Sequence, residues 1–336
     1  MSEKRKTWLI IIGLMCGMLL LAEFLLGLFM IAEDDISEFK SIVYQMENDP
    51  HYPYMEFDPV LFWKLKSNMY VANPLVQTNS LGFRGSEFSL QKDPDTIRIV
   101  CYGDSITFGY QLPQGESYVQ MLENILKEKF PSRKIEVINA GVPGYTSRQG
   151  LVRYQYYGKE LNPDIITVCY GANDVLERYY LSDSEIIKES PVYMKMCSIL
   201  ERIRLFRVVK KLLRFKKPAA NKDVKVHRVS HLEYADNIER IVRMAKKRKR
   251  KIILIMPPVK IFLSRDHFLS IEKYREHLRE IAEKYNISLL IAPELTGTAL
   301  VEESEYFLDK VHTNAKGNAL MAQHIFNILS EQDFIQ

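Results

Sequence analysis

In the stretch IRIVCYGDSITFGY, residues 97–110, an apolar run stops at Gly103 and the chain then presents Asp104 and Ser105. A serine in that place has two possible uses. Ser105 or Thr107 can cap the helix that follows, accepting a hydrogen bond from a free backbone N–H of the first turn. Alternatively, Ser105 can act as a nucleophile at the carboxyl end of a parallel sheet, where open α/β folds hold their ligands. The second use has a requirement. A hydroxyl attacks poorly until a base takes its proton, and the base is normally an imidazole oriented by a carboxylate. Of the seven histidines only His312 has that company, in DKVHTNAKGNALMAQ, where Asp309 precedes it by three residues. An acid and an imidazole so close on one loop can hydrogen-bond directly, which fixes the tautomer. His277 and His324 fall in helical patterns, while His51, His227, His231 and His267 lie in polar surroundings and read as surface or packing residues.

The elements that must position these groups alternate along the chain. Short β-rich apolar runs at 97–101, 135–139, 165–170, 252–256 and 287–291 are separated by helical patterns at 118–129, 147–157, 232–249 and 271–285. A last helix is expected from Asn314 to about Leu329. Alternating strands and helices predict a parallel sheet covered on both faces, and near-continuous apolar strands agree with that burial. The expected fold is therefore α/β, a doubly wound three-layer sandwich with a five-stranded parallel sheet in flavodoxin-like order, spanning residues 94–334. Residues 36–93 read as a polar, aromatic-rich leader packing on that domain. Between the third and fourth strands, residues 178–230 form an insertion of roughly fifty residues, too long for a simple crossover, which predicts structure of its own or a lid.

Residues 1–35 read as a cytoplasmic tail and membrane anchor. From Trp8 to Ile31 the chain is apolar except for Glu23, long enough to cross a hydrocarbon core of roughly 30 Å at about 1.5 Å per residue. Lys4, Arg5 and Lys6 precede the span and Glu33, Asp34 and Asp35 follow it, so the positive-inside rule keeps the amino terminus in the cytoplasm and exports the rest. A cleavable signal peptide ending near Ala22 is the rival reading, but no small-x-small cleavage site follows. Glu23 lies near the exported end, where helix tilt brings it to the interface. Cys16 falls in the anchor, and Cys101 and Cys169 sit in strand-like runs and read as small buried hydrophobes. Cys197 has no obvious partner. With no CxxC or Cys/His cluster, no structural zinc site is expected, and the chemistry calls for no metal or organic cofactor.

GDSITFG, NAGVPGYTS, GAND and DKVH occur in the order of the four motif blocks of the SGNH (GDSL-like) hydrolase superfamily, and from about 97 to 329 the chain resembles that family. The resemblance implies a serine esterase or acylhydrolase working through an acyl-enzyme, with Ser105, Asp309 and His312 as the catalytic triad. It also implies an oxyanion hole formed by Ser105, the Gly141 backbone N–H and the Asn173 side-chain amide. Gly141 follows the second strand and Asn173 the third, so all these groups are expected at one carboxyl edge of the sheet, where prearranged donors can meet a developing oxyanion. The serine also differs from the G-x-S-x-G elbow of α/β-hydrolases, since Thr107 stands where the second glycine would be. The expected substrate is an ester of envelope carbohydrate or lipid. An O-acyltransferase, in which a sugar hydroxyl replaces water, uses the same residues.

Three further features stay open at this level. AKKRKRK, 245–251, resembles a nucleic-acid patch, but reads more simply as a solvated helix end favoured by the helix dipole, and the exported topology leaves no nucleic-acid partner. Arg84, in NSLGFRG, fits either a substrate-anion site or a structural turn. The segment 199–217 carries eight lysines and arginines from Arg202 to Lys217 without one acid. It is expected to form an amphipathic helix that either touches anionic head groups or packs its apolar face on the domain.

Overall fold

The computed structural model describes residues 53–187 except 59, 73, 74, 159, 180 and 181, together with 225–258, 265–292, 305–335 and scattered positions between 5 and 21. The five apolar runs form strands β5 (Thr96–Gly103), β6 (Lys134–Gly141), β7 (Ile165–Cys169), β10 (Lys251–Met256) and β11 (Ser288–Ile291). They pair in parallel in the order β11-β10-β7-β5-β6. Counted along the chain, this is the flavodoxin-like order 2-1-3-4-5, whose direction reverses between β5 and β7.

Each strand sends alternate residues to opposite faces. Val100 and Tyr102 of β5, with Leu254 and Met256 of β10, join one buried cluster, while Ile99, Cys101, Ile253 and Ile255 join the other. The first face is covered by α3 (Ser147–Tyr157), α5 (His231–Lys247) and α6 (Arg265–Tyr285), the second by α2 (Tyr118–Lys129) and α7 (Ala315–Glu331). That is the three-layer sandwich. Local chemistry sets the helix ends: Ser230 and Glu233 form a reciprocal capping box at the start of α5, and Asn314 caps α7 through Gly317 N–H. Cys101 and Cys169 are buried free thiols, as expected from their apolar runs.

Two hairpins precede the sheet, β1 (Met55–Asp58) with β2 (Phe62–Leu65) and β3 (Tyr70–Ala72) with β4 (Leu75–Gln77). Their Met55, Phe62, Trp63, Leu65 and Val76 belong to the same buried cluster as the first sheet face. A third hairpin, β8 (Glu177–Tyr179) with β9 (Lys225–His227), closes the described ends of the insertion, and the short α4 (Asp183–Ile186) lies inside it. The basic segment 199–217 and Cys197 lie outside the described residues. Most of the apolar stretch from Trp8 to Ile31 does too, and among the described residues no helix is long and apolar enough to cross a membrane.

Candidate active site

β5 ends at Gly103, which lies opposite Gly141 of β6 and Cys169 of β7. The chain then turns at once into a one-turn helix, α1 (Ser105–Phe108). Asp104 caps it, its Oδ1 accepting from Ile106 N–H at 2.9 Å. Capping therefore falls to Asp104 rather than to Ser105 or Thr107, and Thr107 is buried with its hydroxyl 3.0 Å from that of Tyr118. The Ser105 hydroxyl is left for another partner, His312 Nε2, at 2.8 Å.

His312 Nδ1 lies 2.7 Å from Asp309 Oδ2. The other oxygen, Asp309 Oδ1, accepts the backbone N–H groups of Val311 and His312 at 2.8 and 2.7 Å, so the loop folds around the carboxylate. A bond from Leu308 N–H to His312 O closes the loop just before α7. With Nδ1–H donated to the aspartate, Nε2 carries the lone pair that faces the serine. Partial burial alone would raise the Asp309 carboxyl, but the hydrogen bonds from His312 and Val311 hold it below its ordinary value. The Tyr110 ring packs on the imidazole, centroid to centroid 4.8 Å.

Asn173 sits at the same edge, just after β7. Its amide donates to Asp104 Oδ2 at 3.2 Å and to Tyr145 O at 3.1 Å, tying the serine turn to the loop after β6. Gly141 is placed differently from the expectation that its N–H is offered as an oxyanion donor, because that group already donates to Asn139 Oδ1 at 3.0 Å. A Cβ at Gly141 would come within 2.3 Å of Phe108 N, so the glycine is needed for α1 to approach the sheet. Three residues on, Gly144 has φ +79°, and its N–H meets no acceptor among the described residues.

The loop 142–146 is held by residues that motif reading passed over. Trp63 Nε1–H donates to Pro143 O at 2.9 Å and Tyr145 Oη–H to Trp63 O at 2.6 Å. Arg228 donates to Gly144 O and to Asp183 Oδ2, both at 2.9 Å, and Asp183 also accepts the Thr146 hydroxyl. These partners lie 37 to 84 residues away in sequence, so no local spacing announces them. Beneath the loop Asp174 accepts Ser147 N–H at 3.0 Å; burial pushes the carboxyls of Asp174 and Asp104 each up to about 7. Arg84 is buried, its guanidinium enclosed by backbone carbonyls, which decides for the structural turn over a substrate-anion site. Among the described residues no group of three or more His, Cys, Asp or Glu side chains is placed to hold a metal ion.

Residues 101–320 match the model of the GDSL-like lipase/acylhydrolase family. The chain is 32% identical over 82 residues to an arylesterase of Vibrio mimicus, a match covering 24% of this chain and 40% of that protein. It is 31% identical over 106 residues to an acetylxylan esterase of Geobacillus stearothermophilus, covering 29% and 47%. The matched stretches thus span less than half the length of either relative. Among solved structures, an alpha/beta hydrolase from the metagenome of Lake Arreo, Spain, is similar with a TM-score of 0.48 and 18% identity, over 74% of this chain and 99% of that one.

Proposed function

This chain belongs to the GDSL-like lipase/acylhydrolase family, and from that premise we propose that it is a serine esterase with Ser105 as nucleophile, His312 as general base and acid, and Asp309 as the group orienting the imidazole. The observation that carries the reading is the continuous chain from Asp309 Oδ2 through His312 to Ser105 Oγ, at 2.7 and 2.8 Å. Ser105 Oγ attacks the ester carbonyl as its proton passes to His312 Nε2. The tetrahedral intermediate collapses with cleavage of the carbon–oxygen bond, and His312 returns the proton to the departing alcohol. Water then gives up a proton to His312 and attacks the acyl-serine; the second tetrahedral intermediate collapses with cleavage of the bond to Ser105 Oγ, which takes the proton back from His312 as the acid leaves. The oxyanion is met by the Ser105 N–H, a donor of the loop after β6 and the Asn173 amide, which gives up one of its long bonds, to Asp104 Oδ2 at 3.2 Å or to Tyr145 O at 3.1 Å, as the substrate enters. With Gly141 N–H already given to Asn139, that last role passes to Gly144. Removing one such donor typically costs about 10²- to 10³-fold in rate.

The arylesterase and acetylxylan esterase names of the relatives support small or carbohydrate-borne acyl esters as the substrate class. The apolar span from Trp8 to Ile31 supports a membrane-anchored enzyme facing the envelope. Two measurements on one preparation test the catalytic reading. A fluorophosphonate should add one mass increment to the wild-type chain and none to Ser105→Ala. Nitrophenyl esters from acetyl to palmitoyl, hydrolysed with and without carbohydrate acceptors, should give free acid as the main product. Labelling that persists in Ser105→Ala overturns the assignment of the nucleophile, and acyl-sugar as the main product turns the enzyme into an acyltransferase.

A further inference from the structure

α1 is a single turn, and a helix so short has no stability of its own. Its place, and with it the place of Ser105, is set by what holds its two ends. The amino end is held by Asp104. At the carboxyl end the last carbonyls have no further turn to accept from. Gly109 closes the turn in the left-handed conformation at φ +81°, its N–H pointing back to Ser105 O and Ile106 O. The outward carbonyls are then taken by two side chains. Asn139 Nδ2 donates to Thr107 O at 2.9 Å and, at 3.4 Å, to Phe108 O. Arg84 Nη1 donates to Phe108 O and Gly109 O at 2.9 and 2.6 Å, and Nη2 to Leu112 O and Pro113 O at 2.7 and 2.9 Å.

Arg84 lies outside the region 101–320 that carries the family match. It comes from the leader, where it forms an isolated antiparallel bridge with Asn139, two residues before the end of the edge strand β6, so the leader meets the sheet beside the site. We propose that Arg84 is a positioning residue for Ser105: the leader's guanidinium locks the one-turn helix that carries the nucleophile in register with His312. This rests on the assignment of Ser105 as nucleophile.

The chemistry of the contact favours positioning over plain packing. Arg84 is 2% exposed, and each acceptor that meets its guanidinium is a backbone carbonyl of residues 108–113. Burying a cation without a carboxylate against it is expensive, and an apolar side chain would fill the same space at less cost. A rigid planar fork is what four carbonyls between Phe108 and Pro113 need, since it ties the end of α1 to the loop that follows and fixes their directions together, whereas an ammonium is a point charge on a flexible stem. The guanidinium also lies over the Phe108 ring, 4.9 Å from its centroid. The leader grips the other side of the site in the same way, through Trp63 and the carbonyl of Pro143.

The test uses the full-length chain, purified in mild detergent, with Arg84→Lys as the first variant. Lysine keeps the charge and loses the fork. Folding is checked by circular dichroism and thermal melting, and the rates are read well below the melting temperature. The expected result is a fall of about 10- to 100-fold in both the fluorophosphonate labelling rate of Ser105 and kcat for nitrophenyl acetate, with KM within about twofold, since displacement of reacting groups by about 1 Å costs on that order. A role in packing alone would lower the melting temperature and leave both rates in place, and that result overturns the proposal. If Arg84→Lys does not fold, Arg84→Gln, an uncharged side chain with amide donors but no guanidinium fork, decides in its stead: kcat and labelling lowered together with KM unchanged support Arg84 as a positioning residue, and wild-type rates overturn it. Failure of the wild-type chain to label at Ser105 would instead overturn the esterase reading itself.

Discussion

His312 gives the site its direction, because one ring nitrogen is committed to Asp309 and the other faces Ser105. In the proposed triad His312 and Asp309 do different work: the imidazole moves the proton, while the carboxylate holds the tautomer and stabilises the imidazolium that forms. His312→Ala should therefore lower kcat by about 10⁶-fold and Asp309→Asn by about a hundredfold less, the pattern expected when one group reacts and the other orients it. Steady-state hydrolysis of nitrophenyl acetate checks the order, and wild-type activity in His312→Ala would remove the triad. These residues were legible in the sequence because Asp309 and His312 share one loop three residues apart, and because Ser105 follows an apolar run that stops at Gly103. Gly141 shows the limit of such reading. Its position after a strand was legible, but the acceptor of its N–H is the side chain of Asn139, two residues back, and the pattern does not reveal which way that side chain turns.

At the level of elements, α2 and α3 begin and end at the residues expected from periodicity, and the five parallel strands fall within a few residues of their apolar runs. Long apolar runs and amphipathic faces repeat often enough to be read. The hairpins β1–β2, β3–β4 and β8–β9 were not legible, since strands of three or four residues hold too few alternations and their stability comes from the core they cover. The same holds for the polar base of the site, where Asp174 joins the loop after β7 to the start of α3 through Ser147. Burial raises that carboxyl from an ordinary value of 3.8 to about 7. Between those values the folded chain binds a proton that the unfolded chain has released, so the stability it contributes is full below about pH 4 and is lost as the pH rises through about 7. Asp174→Asn stays neutral throughout. Urea midpoints measured from pH 4 to pH 8 should move in favour of the variant as the pH rises, and parallel curves for the two proteins would show that the carboxyl is ionised in the fold throughout.

For the molecule as a whole, the carboxyl edge of the sheet gathers Ser105, Asn173 and the loop after β6 at the point where strand order reverses, and the loop before α7 brings His312 to Ser105. The described part of the leader, from Tyr54 on, packs against this edge, and in the sequence the leader follows the apolar stretch from Trp8 to Ile31. If the apolar stretch spans a membrane as proposed, Lys4, Arg5 and Lys6 before it, with Glu33, Asp34 and Asp35 after it, predict by the positive-inside rule a cytoplasmic amino terminus and a catalytic region outside. Alkaline phosphatase, which folds only when exported, should be active when fused after Gln336, and a reporter confined to the cytoplasm should be inactive there. An alkaline carbonate wash separates the anchor from a cleaved signal peptide: a spanning segment keeps the full-length chain in the membrane pellet, whereas cleavage releases a shortened chain to the supernatant. An active cytoplasmic reporter with silent phosphatase would reverse the topology and put the serine, and the esters it can reach, on the inner side of the membrane.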